Sequence, residues 1–165
     1  ALLEHAAMVE MLSAAAFTDL VKAFERVSHA VLISEATHWN YPMWILRLCI
    51  AAYRMGRRIA IKGVVSMLVY ALRGITAGSG TATTELKVLL LPLMRMLKQQ
   101  WANTLIAKVY VDDLTLIMRG MMGAVANGLA DVLNFVVDHL QETLKMQVSK
   151  IDGRRQQTFP GPCGG

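Results

Sequence analysis

The sequence predicts an α+β fold in which an antiparallel sheet carries helices packed on one face. Apolar stretches with strand character alternate with longer helical stretches in the order strand, helices, hairpin, helix, hairpin, helix, strand. Two of these strand pairs are hairpins, whose neighbouring strands run antiparallel. The chain has 165 residues with 55% hydrophobic content, which is enough to bury the core of one domain.

The first part of the chain predicts one strand among several helices. Helix-forming composition covers 2–12, and a weak strand pattern follows at 14–20. The remaining helices are predicted at 22–27 (a single turn), 30–37 and 43–55. The last of them begins after Pro42, carries Trp44, Leu48 and Ala52 on one stripe, and ends at Gly56.

The middle of the chain predicts a hairpin, a loop and a long helix. Strand patterns at 57–63 and 64–72 meet at Lys62-Gly63, and Ile59 and Ile61 alternate with basic neighbours as in a strand with one solvated face. A glycine-rich loop covers 73–81. A threonine cap (Thr81, Thr83 or Thr84) then starts a helix that reaches about residue 100, and Pro92 is expected to bend it.

The last part predicts a second hairpin, at 105–117, with Asp112-Asp113 at its turn. Gly120 and Gly123 separate this hairpin from an amphipathic helix at 124–144. A final strand is predicted at 146–151. We expect residues 1–151 to form the folded region and the Gly/Pro-rich residues 152–165 to form a flexible tail.

Charge and composition restrict the class of protein. The net charge of +5 is compatible with a polyanionic partner, and no stretch reaches the roughly 20 apolar residues of a membrane span. The chain shows no secretory signal pattern, and Cys49 and Cys163 do not have metal-ligand spacing. We therefore expect an intracellular protein, with nucleus or cytoplasm left open, and the oligomeric state is unknown.

The two adjacent carboxylates of Asp112 and Asp113 are the main chemical signal. A turn breaks the alternation of strand side chains, so both can face one space, where a divalent metal would relieve their repulsion. Asp19 ends the predicted strand at 14–20 and could join them in a two-metal phosphoryl-transfer site. The alternatives are an ordinary Asp-rich turn and a helix cap at Asp19.

Four stretches of the chain form an ordered set of motifs: TDLVKAFERV at 18–27, RGITAGS at 73–79, YVDD at 110–113 and LKMQVSK at 144–150. In this order they resemble the palm motifs of reverse transcriptases, especially those of non-LTR retrotransposons and group II introns. The usual forms of those motifs are D-L-x-K-A-F-D-x-V, R-G-V-x-Q-G-S, Y-x-D-D and G-L-x-x-N-x-x-K. The hairpin before the second motif also looks like the family's.

The resemblance implies a polymerase palm with a ferredoxin-like core, acting as an RNA-directed DNA polymerase with two Mg²⁺ ions, or Mn²⁺. Asp19 and Asp112 match the principal metal ligands and Asp113 the supporting acid, and the Leu20 carbonyl would complete the coordination. Lys150 matches a lysine that donates a proton to pyrophosphate. The expected partners are an RNA template, a DNA primer and deoxynucleoside triphosphates.

The resemblance also implies residues that bind nucleotide and nucleic acid. Phe24 stands where the family keeps a ring against the incoming sugar, which excludes a 2′-hydroxyl. Small residues in the second motif would let the backbone approach the nascent base pair. The nucleotide-binding set is therefore Leu20, Phe24, Ala77, Gly78, Ser79 and Tyr110, and the set facing template or primer phosphates is Arg57, Arg58, Lys62 and Arg73.

Departures from the family pattern support rival interpretations. Ala77 replaces the usual Gln, Gly80 a common Pro, Gln147 an Asn and Glu25 an Asp. The fingers and thumb are expected to be largely absent, so the isolated fragment should be weak or inactive. One rival is a decayed or repurposed palm that binds nucleic acid or protein. The other is a helical membrane-surface or assembly module, which predicts helix around Asp112.

Overall fold

The computed structural model describes the backbone of residues 12–157 and their side chains, except those of Met122 and 149–157. The chain divides into two compact units. The first comprises Ala1–Leu20, Leu93–His139 and Val148–Gly165, and the second Val21–Pro92 and Leu140–Gln147. The helix predicted at 2–12 lies outside the described residues, except for Leu12, which begins the first strand.

A four-stranded sheet forms the first unit. Its strands are β1 (Leu12–Val21), β4 (Leu105–Tyr110), β5 (Asp113–Gly120) and β6 (Gln147–Gln157), in the order β4-β5-β1-β6. β5 pairs antiparallel with both β4 and β1. β-branched and aliphatic residues dominate β4 and β5, as expected of strands that must cover a core.

One face of this sheet is buried under a helix. Leu12, Ala16 and Leu20 alternate along β1, and Leu114, Leu116 and Met118 alternate along β5, all with little exposure. The helix α5 (Met122–Asp138) packs on β5 and buries residues four, three and four apart along one stripe: Val125, Leu129, Val132 and Val136. A Cβ at Gly128 would lie 3.3 Å from the Met118 methyl carbon, so a small residue lets the helix approach the strand closely.

Helices dominate the second unit. They are α1 (Ala23–Arg26), α2 (His29–His38), α3 (Met43–Tyr53) and the first part of α4 (Ala82–Gln100), which contains Pro92. A π-helical turn at His139–Thr143 continues directly from α5. The buried stripe of α3 consists of Leu46, Ile50 and Tyr53, whereas Trp44 and Leu48 are 69% and 66% exposed. The predicted Trp44–Leu48 stripe is therefore the outer side of the helix.

A small hairpin, β2 (Ala60–Ile61) and β3 (Val64–Val65), follows α3. Its turn is Lys62-Gly63, with φ of 49° and 84°, as a two-residue primed turn requires. The predicted turn is confirmed, but the regular strands are much shorter than predicted. One solvated face was expected, yet Val64 and Val65, neighbours that point to opposite faces, are 74% and 55% exposed. Both faces of the hairpin are thus open.

The predicted order of elements and the α+β class are confirmed. The tertiary context extends two strands beyond their sequence patterns: β1 begins at Leu12 and ends at Val21, and β6 reaches Gln157. Residues 152–157 of the predicted tail are therefore strand, because backbone pairing in a sheet does not require apolar side chains. Within residues 12–157, no helix combines the length and apolarity that crossing a bilayer needs.

Candidate active site

The hairpin between β4 and β5 presents the two adjacent carboxylates. Tyr110 pairs with Asp113, so the turn consists of Val111 and Asp112, and Asp113 is the first residue of β5. Val111 has φ of 57°, a left-handed conformation that a β-branched residue adopts only under constraint. The predicted hairpin is confirmed, but its turn lies one residue earlier than the predicted Asp112-Asp113, because Asp113 pairs with Tyr110 in the sheet. The hairpin excludes the helix that the membrane-surface interpretation required around Asp112.

The end of β1 lies directly beside this turn. Asp19 is the cross-strand partner of Asp113, and the Leu20 N–H donates to the Asp112 carbonyl at 3.3 Å. Residues directly opposite in an antiparallel pair share one face, with Cβ atoms about 5 Å apart. The strands thus bring Asp19 and Asp113 together on the face opposite the buried one, with Asp112 in the adjoining turn.

The same open face carries Tyr110, a predicted nucleotide-binding residue, and further groups that sequence reasoning missed. Tyr110 of β4 is 78% exposed and pairs with Asp113 of β5, which pairs in turn with Asp19 of β1. These three residues therefore form one row across three strands. The next row on this face contains Lys108, Thr115 and Phe17. Phe17 is 44% exposed, and its position two residues before Asp19 is the period-two signal that could have identified it.

The donor set suits a hard divalent cation. Carboxylate oxygens are the ligands that Mg²⁺ and Mn²⁺ prefer, and like charges directly opposite on neighbouring strands destabilise a sheet unless they are neutralised. Among the described residues, no three His, Cys, Asp or Glu side chains are gathered as a metal-ligand set. The backbone therefore places the carboxylates side by side, and the assembly of all three on a metal stays a prediction.

In the second unit, the segment after Asp19 is bonded to the start of the glycine-rich loop. The Gly74 N–H donates to the Val27 carbonyl and the Ile75 N–H to the Phe24 carbonyl, both at 2.8 Å. Gly74 has φ of 92°, and a Cβ there would lie 2.8 Å from the Glu25 carbonyl oxygen. Only glycine fits this position. The first and second predicted motifs are therefore physically joined here.

A buried histidine supports Gly74. The Arg54 Nε–H donates to His29 Nδ1 at 3.2 Å, so the other ring nitrogen, Nε2, donates to the Gly74 carbonyl at 2.7 Å. His29 is 2% exposed. Sequence reasoning missed this residue, because its partners are 25 and 45 residues away along the chain.

A second buried network, also missed, ends at the predicted nucleotide-binding Ser79. The fully buried Glu85 accepts a 2.9 Å hydrogen bond from the Tyr53 hydroxyl through Oε2, while its Oε1 has no hydrogen-bond partner. Tyr53 also contacts Ser79 at 3.5 Å, and the Ser79 and Thr81 hydroxyls are 3.2 Å apart. A charged residue within the apolar start of α4 was the signal for this network. Thr81 immediately precedes α4, as the predicted cap should.

Burial, the largest cause, raises the pKa of the Tyr53 phenol above its usual value of 10.0, and Glu85 acts in the same direction. Burial likewise raises the pKa of Tyr41, again with a contribution from Glu85. Both phenols therefore keep their protons at neutral pH, and Tyr53 remains a hydrogen-bond donor to Glu85.

The other predicted nucleotide-binding residues differ in environment. Phe24 is half-buried in α1, whereas Ala77 and Gly78 are exposed. A Cβ at Gly78 would have no atom of the protein within 4 Å, so crowding does not require glycine at this position. The φ of 86°, which glycine adopts without strain, accounts for it. Leu20, in the first unit, is 3% exposed, so its side chain is buried, and the binding of a ligand by its carbonyl stays a prediction.

The predicted nucleic-acid-binding residues are exposed basic groups in the second unit: Arg57, Arg58, Lys62 and Arg73. Arg57 donates to the Thr76 hydroxyl at 3.4 Å, which links the hairpin to the glycine-rich loop. Lys150 belongs to β6 in the first unit, and the structure describes its backbone alone. Contact of Arg57, Arg58, Lys62 and Arg73 with nucleic acid stays a prediction, as does proton donation by Lys150.

Comparisons with known proteins agree with this architecture. The apo telomerase of Candida tropicalis is similar with a TM-score of 0.67 and 12% identity, over 93% of this chain and 30% of that one. The telomerase of Candida albicans in complex with a TWJ fragment of telomeric RNA gives a TM-score of 0.66 and 12% identity, over 96% and 30%. The chain thus spans about a third of the length of these structures, and at such identity the likeness shows the fold alone.

The sequence itself shows the family. A comparison with curated proteins finds no significant match. The family model described as reverse transcriptase (RNA-dependent DNA polymerase), however, matches residues 4–159, which is nearly the whole chain. This match covers all four motifs as well as the hairpin that carries Asp112 and Asp113. The chain therefore belongs to the reverse transcriptase (RNA-dependent DNA polymerase) family.

Proposed function

We propose that this chain is the palm region of a retroelement reverse transcriptase and that it adds deoxynucleotides to a primer 3′-hydroxyl on an RNA template. The observation that carries the proposal is the pairing of Asp19 with Asp113 on an open sheet face beside the Asp112 turn. Carboxylates that face each other across neighbouring strands suit a divalent cation, which carboxylate oxygens bind well. Membership of the family supplies the reaction class.

The residues present fit a pair of Mg²⁺ or Mn²⁺ ions. Asp19 and Asp112, with Asp113 and the Leu20 carbonyl, would hold them. When bound, such ions lower the pKa of an attacking hydroxyl and neutralise charge on phosphate oxygens. The carboxylates lie at one end of the sheet, where β1 and the β4–β5 turn meet, so a primer end aligned along the open face would reach them.

The remaining groups position the substrate in this proposal. Phe24 packs against the incoming sugar and selects deoxynucleotides, while Ala77, Gly78 and Ser79 face the base pair being formed. The Tyr53–Glu85 network fixes Ser79, and Gly74 anchors the loop to the segment that carries Phe24. Arg57, Arg58, Lys62 and Arg73 bind phosphates, and Lys150 protonates the leaving pyrophosphate.

Primer extension tests the proposal. A labelled DNA primer on an RNA template is incubated with the chain, deoxynucleotides and Mg²⁺ or Mn²⁺. We expect slow, metal-dependent extension, abolished in Asp112→Asn and retained in Asp131→Asn, a matched control on the exposed surface of α5. Extension should be slow because the positioning of primer and triphosphate supplies much of phosphoryl-transfer catalysis.

Two results would contradict this function. One is extension that persists unchanged in Asp112→Asn, which would place the chemistry elsewhere. The other is the absence of extension together with a metal affinity, measured by calorimetry, that Asp112→Asn does not alter. A preference for ribonucleotides over deoxynucleotides would overturn the role given to Phe24 and leave the metal site intact.

A second candidate is a palm without catalytic activity that binds nucleic acid or protein. Ala77 in place of Gln favours it, because that substitution removes a polar contact near the template base. Binding of an RNA–DNA hybrid that neither metal nor Asp112→Asn affects would support this candidate.

A further inference from the structure

The positive charge of the chain is concentrated in one segment of the second unit. Residues 36–84, the basic segment, contain six Arg and Lys residues and no Asp or Glu. The rest of the chain carries eleven basic and twelve acidic residues, so the whole excess of +5 comes from the basic segment. The same segment carries 12 of the 17 exposed large hydrophobic side chains among the described residues. Its surface is therefore both basic and apolar.

The outer side of α3 combines these two properties. Arg47 and Arg54, seven residues apart, lie on one stripe, and Trp44 and Leu48 form an exposed apolar stripe beside it. Their side chains are 69% and 66% exposed. We name this surface, with its two stripes, the α3 face. It is not used in the proposed polymerase reaction.

A cavity opens beside the arginine stripe. It has a volume of about 340 Å³ and lies between α2 and α3, lined by Ile33, Met43, Leu46, Arg47, Ile50, Ala51 and Arg54. This volume is within the range of ligand pockets, and the lining is apolar apart from the two guanidinium groups. An apolar side chain with a carboxylate close to it would match the cavity in shape and charge.

Neither arginine of the α3 face has an acidic partner among the side chains that the structure describes. Arg54 donates to His29 through Nε. One hydrogen bond leaves most of the donors of a guanidinium available. Planar guanidinium groups bind carboxylates through two parallel hydrogen bonds, which gives orientation as well as affinity.

From this charge and shape complementarity, we propose that the α3 face binds an acidic amphipathic helix of a partner protein. Its apolar side chains would enter the cavity and cover Trp44 and Leu48, and its carboxylates would pair with Arg47 and Arg54. A nucleic acid fits less well, because aliphatic side chains gain little against phosphates. A flat membrane surface does not fill a concave cavity.

The test uses a defined probe, a fluorescently labelled, hydrocarbon-stapled helical peptide with leucines along one face and glutamates elsewhere. Its binding to the full chain is measured by fluorescence anisotropy. Arg47→Glu reverses a charge in the lining, and Ala51→Phe fills the cavity. Matched controls are Lys62→Glu, an exposed charge reversal on the hairpin, and Ala130→Phe, an exposed position of α5 in the first unit.

We expect Arg47→Glu and Ala51→Phe each to raise the dissociation constant about tenfold or more. The two controls should change it by less than about twofold, as substitutions outside a binding surface usually do. The same peptide with lysines in place of glutamates should bind much more weakly. Circular dichroism of every variant establishes that the chain is folded.

Three results would overturn the proposal. Equal losses for Arg47→Glu and Lys62→Glu would indicate unspecific charge attraction. Displacement of the peptide by a single-stranded oligonucleotide whose own binding depends on Arg47 would assign the face to nucleic acid. No binding of the glutamate peptide to the folded chain would exclude an acidic helical partner. None of these outcomes depends on the polymerase activity, so failure here is distinguishable from failure of the proposed function.

Discussion

Gly74 joins the segment after Asp19 to the glycine-rich loop through two constraints, a positive φ and close contact with the Glu25 carbonyl. Gly74→Ala should destabilise the chain by about 2–3 kcal/mol, because a Cβ adds backbone strain and a steric clash. Gly78→Ala, with a similar φ but open space, should cost only the strain, about 1 kcal/mol. Urea unfolding measures both, and equal losses would refute a role for the close approach to Glu25.

Tyr53 is the donor that satisfies one oxygen of the buried Glu85. Tyr53→Phe should lower the free energy of unfolding at neutral pH by about 1–3 kcal/mol, because it leaves a buried carboxyl oxygen without a donor. Tyr70→Phe, an exposed tyrosine of the hairpin segment, is the control and should be neutral. Chemical denaturation at pH 7 compares the three proteins.

The same residue predicts a pH dependence. The folded-state pKa of Tyr53 is raised above 10.0, so the folded chain holds this proton more tightly than the unfolded chain. Its contribution to stability is complete below pH 10.0 and is lost as pH rises above that value. The stability difference between the natural chain and Tyr53→Phe should therefore narrow on titration above pH 10.0. A constant difference across this window would contradict the assignment.

At the scale of elements, the two sides of α3 should differ in how much a substitution lowers the stability of the chain. Leu46 is fully buried and Leu48 is 66% exposed, although they are two residues apart in one helix. Leu46→Ala should cost about 2–5 kcal/mol through reduced burial and a residual cavity. Leu48→Ala should stay within about 0.5 kcal/mol. Thermal unfolding of the two variants checks which stripe faces the core, and a reversed order would place the core on the other side.

The sequence predicted most elements but not their environment. Periodicity and turn residues identified the order of strands and helices, the Lys62-Gly63 turn and the Asp112-Asp113 hairpin, because these depend on local preferences. They did not show that the Trp44–Leu48 stripe and both faces of the β2–β3 hairpin are open, since exposure depends on what packs against an element. The Tyr53–Glu85 bond was beyond local patterns for the same reason: its partners are 32 residues apart.

For the candidate site, the sequence motifs identified the residues, and the pairing register of the strands determines how these residues are arranged. The carboxylates of Asp19 and Asp113 were expected to converge, and cross-strand pairing brings their positions together. The sequence could not give the orientation of the third carboxylate, that of Asp112, because this residue lies in a turn whose conformation depends on Val111. Phe17 and Lys108 share the open face, yet no motif singled them out.

At the scale of the whole molecule, the placement of like charges predicts a metal response. Asp19→Asn keeps the size of this side chain and removes its negative charge from the row that it shares with Asp113. It should abolish the stabilisation that Mg²⁺ or Mn²⁺ gives the natural chain. Differential scanning calorimetry with and without the metal measures this effect, with Asp131→Asn as the control. A metal response that survives Asp19→Asn would remove this residue from the site.

The uneven charge of the whole chain predicts how nucleic acid binding depends on salt. Neutralising Arg57 and Arg58 by glutamine should reduce the slope of log affinity against log salt by about 0.7–0.9 for each arginine that binds a phosphate. Lys98→Gln, an exposed position near the end of α4 in the first unit, is the control. Fluorescence titrations with an RNA–DNA hybrid at several salt concentrations measure the slope, and an unchanged slope would exclude both arginines from phosphate binding.

The left-handed backbone of Val111 has a consequence for engineering of this chain. A glycine at this position would adopt the same φ without steric cost, so Val111→Gly should relieve local strain. Glycine would also make other turn geometries accessible, and the Asp112 carbonyl would then be held less firmly against the Leu20 amide. Valine at this position thus has two opposite effects: it lowers the stability of the turn, and it restricts the orientations available to the neighbouring carboxylate of Asp112.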